Sequence, residues 1–154
     1  MANLIEQRVE AARRGENRHV VARLASGWLV IGDVQPLAGY CLLLADPVAE
    51  SINALSETMR TRYWLDVSRI GDALLDITGA WRINYETWCN LEPSLHTHIT
   101  PRYLSEADAD RRRPACVAYD WAVARRFDPV LDGVFMERLA ATLAGGSAQS
   151  SRAE

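Results

Sequence analysis

Lysine is absent from this sequence: all 17 basic residues are arginine, set against 20 acidic residues for a net charge of −3. The preference for arginine carries no functional meaning by itself, but the acidic balance does. Nucleic-acid binders need a basic surface to displace counterions from phosphates, so nucleic acid is not an expected partner. Cysteine is scarce and odd in number: Cys41, Cys89 and Cys116 form no C-x-x-C pair. That excludes a disulfide framework and favours reduced, buried thiols in a cytoplasmic protein. Long hydrophobic runs are also missing. The uncharged apolar stretch Val34 to Ala45 has only twelve residues, interrupted by Pro36 and Gly39. A membrane helix wants about 20, so no membrane association is expected. Residues 1–17 are charged throughout, without the apolar core of a secretory leader.

What remains is an ordinary globular mixture: 154 residues, 49% hydrophobic and 24% charged. One domain over 1–144 with its own core is expected, followed by a disordered tail over 145–154. Asn3 followed by Glu6 reads as a capping pair for a helix with Leu4, Ile5, Val9 and Ala12 on one stripe. His19 to Leu24, Trp28 to Gly32 and Gly39 to Ala45 read as strands, the last apolar enough to be covered on both faces. Ile52, Leu55, Met59, Tyr63, Val67, Ile70 and Leu74 then recur at helical spacing, which predicts a long helix from Glu50 to Ile77 closed by Gly79. Trp81 to Glu86 and Leu95 to Thr100 read as two more strands. Ser105 with Asp108 reads as the cap of a short turn, and Arg111-Arg112-Arg113 as a solvated face. Asp128-Pro129 starts a last helix with Leu131, Val134, Phe135, Arg138 and Leu139 on its apolar stripe. The predicted class is α+β: an antiparallel sheet of about five strands carrying one long helix, with helices near both termini.

Histidine is as scarce as cysteine, and two of its three occurrences, His96 and His98, sit two residues apart. On a strand, alternate side chains share a face, so Leu95, Thr97 and Ile99 point one way while Ser94, His96, His98 and Thr100 point the other. Two imidazoles on one strand face can bind a metal, grip a phosphate or do nucleophilic work. A metal would need further ligands, and no Cys or His stands at a partner spacing; Asp33 or Glu92 could serve, though nothing singles them out.

The surrounding residues carry a resemblance. Arg82-Ile83-Asn84-Tyr85, then Asn90-Leu91-Glu92-Pro93-Ser94-Leu95-His96-Thr97-His98-Ile99-Thr100-Pro101-Arg102-Tyr103, resembles the signature of the histidine triad (HIT) superfamily. There, three histidines alternate with apolar residues, commonly before Pro-Arg. Gly32-Asp33-Val34-Gln35-Pro36 before an apolar strand is similar to the family's strand–Asp–x–x–Pro–strand segment. The likeness covers about Val20 to Tyr103, with Ser94 in place of the first histidine. The histidine many members carry after the third strand is also missing, where Asp46-Pro47 stands.

The resemblance implies a nucleotide hydrolase or nucleotidyl transferase, with no cofactor, working as a homodimer on a nucleotide or nucleotide conjugate. It implies that His96 is the nucleophile on the α-phosphate and that His98 contacts the phosphate and helps fix the nucleophile's tautomer. By the same resemblance Asp33 faces ribose hydroxyls, Asn84 and Asn90 contact phosphate oxygens, and Ser94 offers one hydrogen bond where a histidine would stand. The chemistry is sound, because a neutral imidazole attacks well near neutral pH. Two alternatives stand beside it: a nucleotide-binding protein with weak turnover, and a metal-binding H-x-H site on another β scaffold.

Overall fold

A computed structural model describes residues 1–146. Helix α1 (Leu4–Arg13) opens on the predicted capping box, with the Asn3 side chain accepting from the Glu6 N–H and the Glu6 carboxylate accepting from the Asn3 N–H. Strands β1 (Val20–Leu24) and β2 (Gly27–Ile31) form a hairpin, followed by the short β3 (Val34–Gln35) and by β4 (Cys41–Ala45). Helix α2 (Glu57–Thr78) leads to β5 (Arg82–Glu86) and β6 (His96–Arg102). Two single-turn helices, α3 (Asp108–Arg111) and α4 (Ala115–Ala118), precede β7 (Arg125–Arg126) and helix α5 (Pro129–Gly145). The main sheet has the order β1-β2-β4-β6-β5 with every neighbouring pair antiparallel, and β3 pairs separately with β7. This is the α+β class expected. Among the described residues no helix is long and apolar enough to cross a membrane.

Several boundaries move, each for a local reason. The long helix begins at Glu57 rather than Glu50, because the Ser56 hydroxyl accepts from the Met59 N–H and caps it there, after a separate 3₁₀ turn at Ile52–Ala54. It ends as predicted at Gly79, whose φ of 68° is the left-handed cap. Leu4 is exposed, so the buried stripe of α1 is Ile5, Val9 and Ala12. Ser105 caps nothing; α3 starts after Ala107 without a side-chain cap. In α5, Leu131 and Val134 point to solvent while Asp132 and Leu139 are buried. The helix is rotated because Asp132 turns inward to accept from the Arg125 guanidinium and the Asp128 N–H. The tail expected over 145–154 lies, from residue 147 on, outside the described residues.

The sheet is covered on both faces. One face buries Leu29, Cys41, Leu43, Ile83 and Ile99 beneath Tyr63, Val67, Ile70 and Leu74 of α2 and Leu139 of α5. Burying each large aliphatic side chain here contributes roughly 1.5–3 kcal/mol. Gly71 of α2 is needed for the close approach, since a Cβ there would fall 1.9 Å from the Tyr85 hydroxyl of β5. The opposite face carries Val30, Leu42 and Leu44 against Ile5 and Val9 of α1. Further across that same face, on β6, lie His96 and His98.

Candidate active site

The alternation of β6 places the side chains as the sequence predicts. Thr97 is on the α2 side, sharing a 2.9 Å hydrogen bond with the Tyr63 hydroxyl. His96 and His98 project from the other side, their ring centroids 5.0 Å apart and nearly edge-to-face at 68°. Their neighbours follow from register: Leu44 lies opposite His96 on β4, while Leu42 on β4 and Glu86 on β5 flank His98.

His96 is 6% exposed, and its Nδ1 lies 2.7 Å from the Ser94 carbonyl. A carbonyl only accepts, so Nδ1 carries the hydrogen and Nε2 is left with the lone pair. The thiol of Cys89 packs beside it, donating to the His96 carbonyl at 3.5 Å. His98 is held differently. Its Nδ1 lies 2.5 Å from the hydroxyl of Tyr40, a residue just before β4 that is itself buried. Burial pushes the Tyr40 phenol well above its ordinary value, so it keeps its proton and donates it. Nδ1 of His98 then accepts, and Nε2 carries the hydrogen. Burial, with the adjacent His96 acting in the same direction, pulls His98 down to about 4, so this ring is neutral near pH 7.

The remaining predicted residues are dispersed around this pair. Ser94 is 2% exposed and its Oγ accepts from the Asn3 amide at 2.8 Å, which ties the N-terminal cap to the histidine strand. The Glu92 carboxylate reinforces the tie by accepting from the Leu4 N–H at 2.9 Å. Asn84 lies on β5, on the histidine side, with its Oδ1 accepting from Arg102 at 2.7 Å. Asn90 is exposed on the loop before β6. Asp33 is half exposed and accepts from Arg8, with His19 at 3.4 Å. Burial lowers the pKa of His19 despite this opposing attraction from Asp33. Asp46 accepts from Arg13 and from the Trp28 indole, so it serves the fold.

Three contributors lie outside the predicted site residues. Tyr40 is the first. Trp121 is the second: its ring lies edge-on to Tyr40 at 4.8 Å and to His98 at 6.5 Å. The third is Arg102, 2% exposed and paired at 2.8 Å with Glu106, which is 3% exposed at its side chain. Arg102 also donates to the carbonyls of Asp110 and Arg113. Burial opposes the Glu106 charge, but the bonds from Arg102, the Tyr103 N–H and Tyr119 hold its pKa below the ordinary carboxylate range. Arg102 thus fastens the start of the 103–127 segment across the histidine face. The β3–β7 pair and a 2.8 Å bond from the Phe127 N–H to the Asp33 carbonyl fasten its end. Only the Pro-Arg pair in the motif could have signalled Arg102. Tyr40 and Trp121 carry no local signal.

Among the described residues no group of three or more His, Cys, Asp or Glu side chains is placed to hold a metal ion. No family model and no curated protein matches the sequence. Solved structures do match. A histidine triad protein from Bradyrhizobium japonicum superposes with a TM-score of 0.69 at 23% identity, over 80% of this chain and 89% of that one. One from Marinobacter aquaeolei VT8 gives 0.71 at 14% identity, over 94% and 98%. A hypothetical histidine triad nucleotide-binding protein from Sulfolobus tokodaii strain7 gives 0.73 at 10% identity, over 96% and 98%. The fold is therefore the HIT fold.

Proposed function

We propose that the chain is a nucleotide hydrolase or nucleotidyl transferase in which His96 is the nucleophile. One observation carries the reading: the Ser94 carbonyl 2.7 Å from His96 Nδ1 leaves Nε2 free to attack. In the first step Nε2 forms a bond to an α-phosphorus while the bond to the leaving group breaks, and the leaving group departs with its electron pair. Water then attacks the phosphorus of the phosphoramidate, the P–N bond breaks, and His96 is regenerated. His98, presenting an Nε2–H, steadies a phosphate oxygen, and Tyr40 keeps it in that tautomer. Asn84 and Asn90 supply further donors to phosphate. The Ser94 hydroxyl keeps its hydrogen for donation, because its oxygen is occupied by Asn3. Asp33 would receive ribose hydroxyls in exchange for Arg8. We place the protein in the cytoplasm, as a single-domain homodimer joined through the exposed Trp64 and Leu65 of α2.

A second reading, nucleotide binding with little turnover, draws on the neutrality of His98 and on Ser94 standing where a third imidazole would. Neither group places a positive charge beside the transition state, where such charge contributes most. One assay separates the two. Wild type and His96→Ala are incubated with a dinucleoside polyphosphate and with an adenylyl amidate, and products are read by mass. Release of nucleoside monophosphate, with a phosphoramidate adduct on His96, supports the enzyme. Turnover that survives His96→Ala unchanged ends that reading.

A further inference from the structure

Glu86 closes β5, and its neighbours fix the side of the sheet on which it lies. Tyr85 reaches Gly71 of α2, whereas Asn84 bonds to Arg102 on the opposite side. Alternation therefore puts the Glu86 side chain with the histidines. The register agrees: Glu86 stands directly opposite His98, with His96 on the diagonal about 7–8 Å away.

The other carboxylates around the histidines serve the fold. Glu92 accepts from the Leu4 N–H, Glu106 from Arg102 and Asp33 from Arg8. Among the described residues the Glu86 carboxylate has a single hydrogen-bond partner, the Cys116 thiol at 3.7 Å, which is a weak donor. The titratable and charged groups facing it are Cys116 of α4, Tyr40 before β4, and His98 and Arg102 of β6. Tyr40 and His98 are neutral near pH 7, and Arg102 is already paired with Glu106. Burial raises the pKa of Glu86, against the opposite pull of Cys116 and Arg102. A phosphate arriving at His96 adds negative charge and raises it further.

We infer that Glu86 is the acid–base group of the reaction and serves both of its steps. This rests on the nucleotidyl transfer proposed above. As the bond from the α-phosphorus to the leaving atom breaks, the Glu86 carboxyl gives that atom its proton and becomes a carboxylate. Water then attacks the phosphorus and passes a proton to the carboxylate. The P–N bond breaks with its electron pair returning to Nε2, and both side chains are restored. One group suffices, because the leaving atom and the water occupy the same position opposite His96 in successive in-line displacements. Leaving groups that need a proton, such as amines, then depend on Glu86, while aryl oxides do not.

The test gives the full chain two derivatives of adenosine monophosphate. One is an alkyl amidate, whose amine must be protonated to leave; the other is a para-nitrophenyl ester, whose phenolate leaves unaided. Glu86→Gln keeps the shape and removes the proton. It should slow adduct formation from the amidate by about a hundredfold or more, and leave the nitrophenolate burst within about threefold of wild type. The adduct on His96 should then accumulate by mass, because the water has lost its base. Azide, a nucleophile that needs no base, should restore turnover of the ester. Equal loss of the burst with both substrates, or failure of azide to restore turnover, overturns the inference. So does a Glu86→Gln variant that turns over both substrates as wild type does, and in that case the nucleotidyl transfer stands. Wild type that turns over neither substrate overturns the transfer itself, and the role of Glu86 falls with it.

Discussion

Leu43 and Ile99 on one side of the sheet, and His96, His98 and Arg102 on the other, come from the same two strands. The first pair is sealed beneath α2 and α5 and offers only apolar atoms. The second set is almost as deeply covered, yet each member has a polar partner: Ser94 for His96, Tyr40 for His98, Glu106 for Arg102. Apolar burial is tolerant, because any well-shaped neighbour will do. Polar burial is not, since each buried donor or acceptor needs a particular mate or costs about 1–3 kcal/mol. One side of the sheet therefore supports the molecule, and the other side is where its chemistry has been made affordable.

If that contrast is right, the two sides should respond to mutation in different observables. The largest effect expected is on turnover: His96→Ala should lower it by about a thousandfold or more, since removing a nucleophile removes the covalent route. Chemical denaturation run alongside should show that the variant remains folded. Next comes the helix side. Leu74→Ala should cost about 2–5 kcal/mol of stability by urea titration, with no dependence on pH beyond that of wild type.

The pH dependence belongs to the histidine side. His98 sits near 4 in the folded chain and near the ordinary 6.5 when unfolded, so between those values the unfolded state binds the extra proton. Stability should be undiminished above pH 6.5, fall as pH drops toward 4, and by then be lower by about 2–3 kcal/mol. His98→Gln should flatten that slope. What remains should come from His19, whose pKa is lowered in the same direction, and at the acid end from carboxylates held below their ordinary range, such as Glu106. A slope unchanged by His98→Gln would place the titrating group elsewhere. The smallest effect is expected from Ser94→Ala, which deletes the bond from Asn3 and should cost about 0.5–1.5 kcal/mol of stability while leaving most turnover intact.

What could be read from sequence divides along the same line. The stripe from Tyr63 to Leu74, the cap at Gly79 and the alternation from Ser94 to Thr100 are periodic, and a period is visible in a single chain. The pattern failed where one side chain overruled it: Ser56 set a later start for α2, and Asp132 turned α5 about its axis. The partners of the histidine side have no period. Tyr40 is 58 residues from His98, and Asn3 is 91 from Ser94. Trp121 reaches the site only because Arg102 and the β3–β7 pair hold its segment over the sheet. Asp33, chosen by resemblance, stands just before β3, and its engagement by Arg8 depends on how α1 docks, which no local pattern records.

The acceptor that orients His96 belongs to the peptide unit of Ser94, not to its side chain. Every amino acid carries that same oxygen, so the tautomer of the attacking ring is specified by the path of the chain and not by the identity of position 94. That position is consequently free to change its residue without erasing the orientation. What holds that carbonyl in place is again backbone: the Leu95 N–H donates to the Ala49 carbonyl and the Leu95 carbonyl accepts from the Ala45 N–H, so the chain beside the Ser94 oxygen is pinned without any side chain.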